Sequence, residues 1–253
     1  SPVHAFYYRR NISAIISWRS AHHRGMVITI LSILLGILPG LAWLVFYLQE
    51  DLRHPEPKRL IFLTFLTGSV ITIFVLQGQI FINDWVISQG LSTYSFISFL
   101  FLAAIEEFFK FFAVYLAVSR RKEFDEPLDA MIYMIIAALG FATVENVASV
   151  LQSGSLSLSS PGPLETTILR FVGATLLHTL ASGLVGYYWG KAIAQRGGYI
   201  GLIFAGLVTA TLLHAVFNYL IIKSEPVALP LAFLMFVALF ILNDFEKLKR
   251  VEK

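Results

Sequence analysis

The chain has 253 residues, of which 57% are hydrophobic and only 14% are charged. A soluble domain has about a quarter of its residues charged, so this composition excludes an ordinary water-soluble fold and predicts a protein embedded in lipid. The net charge of +3 is small, and basic residues gather at the ends of apolar segments, which is typical of membrane orientation and not of nucleic-acid binding.

Seven apolar segments are each close to the roughly 20 residues that a helix needs to cross a bilayer. We therefore predict an all-α, polytopic membrane helix bundle. The predicted spans are 26–48, 60–82, 93–118, 128–151, 167–190, 200–222 and 227–243. We assign residues 26–246 to one transmembrane domain and 247–253 to a basic tail. Residues 1–25 are compatible with an N-terminal amphipathic helix at the membrane interface.

Basic residues in the loops predict how the chain is oriented. The loops after the first, third and fifth spans share a side with the C-terminal tail. That side holds Arg53, Lys58, Arg59, Arg120, Arg121, Lys122, Lys191, Arg196, Lys247, Lys249, Arg250 and Lys253. The loops on the other side hold only Lys223. Because loops rich in Lys and Arg stay inside, we expect a cytoplasmic C-terminus. The four Arg residues before the first span oppose this orientation.

The third span carries Glu106, Glu107 and Lys110 in the middle of an apolar run. Each such group costs about 2.5–3.5 kcal/mol at the centre of a membrane helix, so a use for them is expected. Glu106 and Lys110 are four residues apart and share a face, which predicts an ion pair between them. Glu107 follows Glu106 directly, so its side chain points about 100° away from that of Glu106 around the helix axis. It is expected to meet other neighbours.

The next three spans each add polar residues at mid-depth. These are Glu145 and Asn146, His178 and Ser182, and His214 and Asn218. The last two pairs are four residues apart, so each pair shares one helix face. Polar faces on neighbouring spans avoid lipid only by converging, which predicts a polar site inside the bundle.

The residue types in this site suit hydrolysis of a peptide bond by water. A carboxylate shielded from bulk water serves as a general acid or base, histidine carries a second proton, and an Asn amide can donate to an oxyanion. The same residues suit a divalent metal such as zinc, with Glu145, His178 and His214 as candidate ligands. The residues alone leave both routes open. The chain has no cysteine, which excludes thiolate ligands and a cysteine nucleophile.

Other functions use the same residue types. Asn146 and Ser182 are equally suited to hydrogen bonding between membrane helices. Intramembrane acids and histidines also mark ion paths, so a proton-coupled transporter is an alternative. A third possibility is a non-catalytic scaffold that binds membrane helices.

Several motifs occur in a fixed order on consecutive spans. They are Tyr47-Leu48-Gln49-Glu50-Asp51 with Pro55-Glu56-Pro57, then Glu106-Glu107-Phe108-Phe109-Lys110, Phe124-Asp125-Glu126-Pro127-Leu128-Asp129-Ala130, Gly140-Phe141-Ala142-Thr143-Val144-Glu145-Asn146, His178, and His214-x-x-x-Asn218. With them, the chain from about 39 to 220 resembles the PrsW family of intramembrane proteases, relatives of the CAAX-type prenyl endopeptidases. Ala130 stands where the family usually has Gly, and residues 1–25 have no obvious counterpart.

The resemblance implies an endopeptidase of a bacterial or archaeal cell membrane. Its substrate would be a membrane-anchored protein such as a single-pass anti-sigma factor. By similarity, Glu106 and Glu107 activate water, Glu145, His178 and His214 complete the polar site, and Asn218 helps to hold the oxyanion. Lys110 would bias the acid pair toward one charged and one neutral member, with Asn146 and Ser182 in support. This mechanism needs no cofactor, although a zinc-dependent variant uses the same residues. The expected partners are the substrate and the bilayer, with no nucleic acid.

Overall fold

A computed structural model of the chain describes residues 27, 29–49, 55–153, 163–195, 199–224 and 228–251. All regular structure in these ranges is helical, which confirms the predicted fold class. The predicted interfacial segment 1–25 lies outside the described residues.

Eight α-helices follow one another in the described part of the chain. They are α1 Thr29–Leu48, α2 Lys58–Ser88, α3 Phe96–Val118, α4 Pro127–Ser153, α5 Pro163–Leu169, α6 Leu176–Gln195, α7 Tyr199–Lys223 and α8 Ala228–Val251. A π-helix, Arg170–Thr175, joins α5 to α6, so the stretch Leu164–Gln195 is one continuous rod. Each predicted span therefore corresponds to one rod. α8 continues to Val251, so most of the predicted basic tail is helical.

Six of these rods, among the described residues, are long and apolar enough to cross a membrane. The remaining long helix is α3, whose 23 residues include Glu106, Glu107 and Lys110. These three residues are at most 4% exposed, so the bundle interior shields them. Large apolar side chains such as Phe81 (74% exposed) and Ile200 (86%) cover the outside, as expected for a surface that faces lipid.

Local signals set where α3 and α4 begin. The side chain of Ser95 accepts a hydrogen bond from the backbone N–H of Ser98 at 3.2 Å and caps α3. α4 starts at Pro127, whose missing N–H costs nothing in a first helical turn. The carboxylate of Asp129 accepts the backbone N–H groups of Asp125 and Glu126, both at 2.9 Å. The Pro-x-Asp motif therefore fixes the entry into α4.

α4 is the central helix of the bundle. Its residues from Ala130 to Ala142 are all buried, and it packs mainly against α2 and α6. A Cβ added at Gly68 of α2 would lie 2.0 Å from the carbonyl oxygen of Ala137, so only glycine allows this close approach of α2 to α4. α3 packs against α2 and α7, and α7 against α6. The polar faces of α3, α4, α6 and α7 therefore point into one interior.

Candidate active site

Five predicted site residues on three helices meet in this interior. Glu106, Glu107 and Lys110 lie on α3, His178 on α6 and His214 on α7. All five are at most 4% exposed. The two imidazole rings lie 5.1 Å apart between centroids, at 82° to each other. Such a cluster is costly to bury unless each charge has a partner.

Glu107 has a full set of partners. Its Oε1 lies 2.6 Å from Lys110 Nζ and 2.8 Å from His214 Nδ1, and its Oε2 accepts from Ser182 Oγ at 3.1 Å. The predicted pairing of Lys110 with Glu106 is therefore wrong. Positions three and four apart both share a helix face. Both acids are therefore within reach of Lys110. Lys110 pairs with Glu107, whose carboxylate also faces donors on α6 and α7.

Glu106 is bound on one side only. Its Oε1 accepts a hydrogen bond from Gln79 Nε2 of α2 at 2.7 Å. Its Oε2 is buried and has no hydrogen-bond partner among the described residues. That oxygen lies 3.6 Å from His214 Nε2 and 3.9 Å from His178 Nδ1. A buried acceptor left unpaired costs about 1–3 kcal/mol, so this atom indicates a place for a ligand.

The hydrogen-bond network assigns the tautomers of both histidines. Lys110 Nζ lies 3.0 Å from His178 Nδ1 and can only donate, so Nδ1 accepts. His178 Nε2–H then donates to Glu145 Oε2 at 2.9 Å. His214 Nδ1 faces a carboxylate and therefore carries a proton. In the neutral form of His214, the Nε2 lone pair is directed toward Glu106.

Glu145 belongs to an outer network built on the π-helix. Its Oε2 also accepts from Arg170 Nη2 at 3.1 Å. Arg170 Nε donates to Asn146 Oδ1, and Asn146 Nδ2 donates to Thr175 Oγ1 at 2.9 Å. Arg170 and Thr175 are five residues apart, and the i→i+5 spacing of a π-helix stacks such positions. A cleft of about 190 Å³ between α2 and α4 reaches Glu145 and Arg170 from outside.

Three other predicted residues lie outside the cluster of five. Asn146 and Ser182 are fully buried and hydrogen-bond between helices. Asn218 lies one turn beyond His214 on α7 and is half-buried. Its amide makes no side-chain hydrogen bond to any other described residue. The structure thus does not bring Asn218 into the network.

Glu106, His178 and His214 could hold a metal ion. One donor atom from each lies within 4.8 Å of the others. This set differs from the predicted one in one member, because Glu145 contacts the far nitrogen of His178. Donor atoms around a tetrahedral zinc ion lie about 3.4 Å apart. The unpaired Oε2 of Glu106 and the Nε2 of His214 fit this role, and His178 Nδ1 fits once Lys110 releases it.

Sequence reasoning missed three contributors. Gln79 holds Glu106, Thr175 holds Asn146, and the ring of Phe141 lies 4.9 Å from Lys110 Nζ and 5.3 Å from the His178 ring. A Gln within an apolar span is the signal that points to Gln79. Phe141 lies within the Gly140–Asn146 motif, which marks its position but not its contacts. Thr175 has no distinctive signal, because Thr is common in membrane helices.

Comparison with known proteins decides the family. The model of the PrsW family of intramembrane metalloproteases matches residues 56–243. The chain belongs to this family. It is 32% identical to Protease PrsW of Geobacillus kaustophilus over 194 residues, which cover 75% of the chain and 79% of the relative. It is 27% identical to Protease PrsW of Bacillus subtilis over 218 residues, 85% of the chain and 94% of the relative. No solved structure matches.

PrsW family membership makes the protein an intramembrane protease with several membrane-spanning helices. The resemblance found in the sequence is thereby confirmed. The transporter and scaffold alternatives lose their support, because the matching family and the relatives are proteases. The family is described as one of metalloproteases, and Glu106, His178 and His214 form a set of donors that could hold a metal ion.

Proposed function

We propose that this protease hydrolyses a peptide bond of a membrane-anchored protein, and that Glu106, His178 and His214 hold a divalent metal ion, zinc being the first candidate. The observation that carries the proposal is the buried Oε2 of Glu106, which has no hydrogen-bond partner in the described part of the chain and is directed at a nitrogen of each histidine. Carboxylate and imidazole are ordinary zinc ligands, and such a site keeps an open position for water.

A bound zinc ion would supply a Lewis acid and a water molecule that ionises near neutral pH. The surrounding residues orient the ligands. Glu145 accepts the Nε2 proton of His178, and Glu107 accepts the Nδ1 proton of His214. These contacts hold each imidazole in the tautomer whose other nitrogen faces the site. Glu107 also balances the charge of Lys110, and Ser182 supports Glu107.

Asn218 completes the proposed machinery. It shares the face of α7 that carries His214, and its amide makes no hydrogen bond to another described residue. The amide is therefore available to donate to an oxyanion on the substrate. A single-pass anti-sigma factor is the proposed kind of substrate, in line with the resemblance.

One observation favours a metal-free route as the second candidate. Lys110 Nζ occupies His178 Nδ1 at 3.0 Å, the nitrogen that a metal ion would need. In this route Glu106 Oε2 takes the proton of a water molecule held between it and the histidines. Glu106 is then the general base, and Glu107 remains the paired acid.

Glu106→Gln tests the common core of both routes. The protein is purified into liposomes with a tagged single-span membrane protein as substrate. We expect cleavage to fall by at least about 100-fold, because the substitution removes a ligand or a general base. Full cleavage by Glu106→Gln would overturn both routes.

Chelation separates the two routes. In the metal route, a stringent chelator abolishes cleavage, added zinc restores it, and about one equivalent of zinc copurifies. Cleavage that survives complete removal of metal would instead assign the chemistry to Glu106 as a general base. Loss of cleavage that zinc, cobalt and manganese all fail to restore would contradict the metal route.

The C-terminus is proposed to be cytoplasmic. Contacts near the helix ends support a common side for the loops that carry most basic residues. Tyr133, near the start of α4, donates a hydrogen bond to Glu56, just before α2. Lys191 of α6 and Lys247 of α8 line one surface cavity. The interfacial segment 1–25 and the domain bounds stay predictions.

A further inference from the structure

We propose that Gln79 on α2 is a positioning residue for the reaction and acts through Glu106. The inference rests on the proposed function of Glu106. Gln79 Nε2 donates to Glu106 Oε1 at 2.7 Å. Among the described residues this is the one hydrogen bond that the Glu106 carboxylate receives. Gln79 therefore controls the orientation of the acid whose other oxygen faces both histidines.

A carboxylate without this hydrogen bond has little to hold its orientation. The terminal torsion of a Glu side chain is broad and roughly two-fold, so packing alone selects it weakly. Lys110 lies one turn farther along α3 and attracts both neighbouring acids. By holding Oε1 on the α2 side, Gln79 keeps Oε2 directed toward His178 Nδ1 and His214 Nε2.

The packing of α2 against α3 makes this contact possible. A Cβ added at Gly78 would lie 2.2 Å from Cδ1 of Ile105, the residue just before Glu106. The glycine therefore leaves room for the Ile105 side chain, on the turn of α3 that carries the acid. An amide suits the position because it donates a hydrogen bond without adding a charge that would compete for Glu106.

Gln77 provides a matched control on the same helix. It has the same side chain two residues earlier, but it is exposed. Positions two apart on a helix do not share a face. The substitutions Gln77→Met and Gln79→Met therefore remove the same amide from the same helix, and only the second removes a hydrogen bond to Glu106.

The experiment measures zinc affinity, cleavage kinetics and thermal unfolding of each variant in liposomes or detergent. Loss of a residue that orients a metal ligand typically costs 10–100-fold in metal affinity or activity. We expect Gln79→Met to lower both zinc affinity and kcat by about 10–100-fold, with KM within about twofold. Gln77→Met should leave zinc affinity, kcat and KM within about twofold of wild type. The unfolding temperature of the two variants should be alike.

Gln79→Asn shows whether the effect of Gln79→Met comes from misfolding. Asn keeps a polar amide at this position, but its side chain is one methylene shorter, so the amide no longer reaches Glu106. We expect it to lose zinc affinity and kcat in the same direction as Gln79→Met. The inference is overturned if both Gln79 variants bind zinc and cleave like Gln77→Met while Glu106→Gln is inactive. It is also overturned if the loss of kcat follows a loss of unfolding temperature with unchanged zinc affinity. An active Glu106→Gln would instead overturn the proposed function itself.

Discussion

At the scale of single residues, two adjacent acids have different surroundings. Among the residues that the structure describes, Glu107 is contacted by Lys110, His214 and Ser182, whereas Glu106 receives one hydrogen bond, from Gln79. A charge with three donors is well compensated, and a carboxylate oxygen without one is available for a ligand. This difference supports the proposal that Glu107 has a supporting role and that Glu106 is the reacting or metal-binding acid.

Breaking the buried pair should be costly to stability. Lys110→Met leaves the charge of Glu107 without its cation, and losing one partner of a buried pair costs about 3–5 kcal/mol. Lys247→Met is the control, since Lys247 pairs with Asp244 at 2.6 Å but is 52% exposed. Such a surface pair contributes about 0–1 kcal/mol.

Unfolding of both variants in mixed micelles with increasing SDS measures the difference. The double variant Lys110→Met, Glu107→Gln should recover much of the loss, because it leaves no unpaired charge. Equal stability of Lys110→Met and Lys247→Met would show that Glu107 is compensated without Lys110.

At the scale of elements, the bundle depends on close helix contacts and on one departure from α-helical geometry. The π-helix Arg170–Thr175 lets both of its ends hold Asn146 of α4. π-helical turns inside α-helices are rare and are frequent at functional sites. In this protein the π-helix directly precedes α6, the helix that carries His178. Its contacts with Asn146 hold the start of α6 against α4.

The contact between α2 and α4 predicts a position-specific effect of a single methyl group. At Gly68 the added Cβ would meet the Ala137 carbonyl oxygen, which belongs to backbone and cannot move aside cheaply. Gly68→Ala should therefore destabilise the protein by about 1–3 kcal/mol, the usual cost of overpacking.

Gly201→Ala is the matched control, because nothing lies within 4 Å of a Cβ there. It should be neutral or stabilising by up to about 1 kcal/mol, since Ala favours a helix over Gly. Thermal unfolding in detergent compares the two variants. An unfolding temperature of Gly68→Ala at or above that of Gly201→Ala would contradict the close packing of α2 on α4.

At the scale of the whole molecule, the protein places its polar groups inside and its large apolar side chains outside. Phe62, Phe81 and Phe204 are each more than 60% exposed, whereas Glu107, Lys110 and Ser182 are fully buried. A soluble protein arranged in this way would aggregate, but lipid solvates the apolar surface.

The orientation in the membrane can be tested with single cysteines, because the chain has none of its own. Ser92→Cys lies between α2 and α3, and Ser119→Cys lies directly after α3. With a cytoplasmic C-terminus, a membrane-impermeant maleimide should label the cysteine at 92 in intact cells. The cysteine at 119 should be labelled only after permeabilisation. The reverse pattern would overturn the proposed orientation.

Much of the fold was predictable from hydropathy, because an apolar segment of about 20 residues has few alternatives to a spanning helix. Convergence of the polar faces of α3, α6 and α7 was predictable for a similar reason, since lipid excludes them. The partner of Lys110 was not predictable, because residues three and four positions before it on the helix are both within its reach. The role of Gln79 was also hidden, since its amide becomes informative only when α2 lies beside Glu106.

Composition, hydropathy and motifs therefore established the fold class, the positions of the long helices, the protease family and most of the residues that gather in the interior. Those depend on composition, periodicity and motif order, which are local properties of the chain. Helix packing alone fixed three further points. Glu107 pairs with Lys110, and Oε2 of Glu106 has no hydrogen-bond partner within the described ranges. Glu145 contacts the Nε2 atom of His178. These choices depend on distances between helices far apart in sequence, and a difference of one turn or about 1 Å changes which group pairs with which.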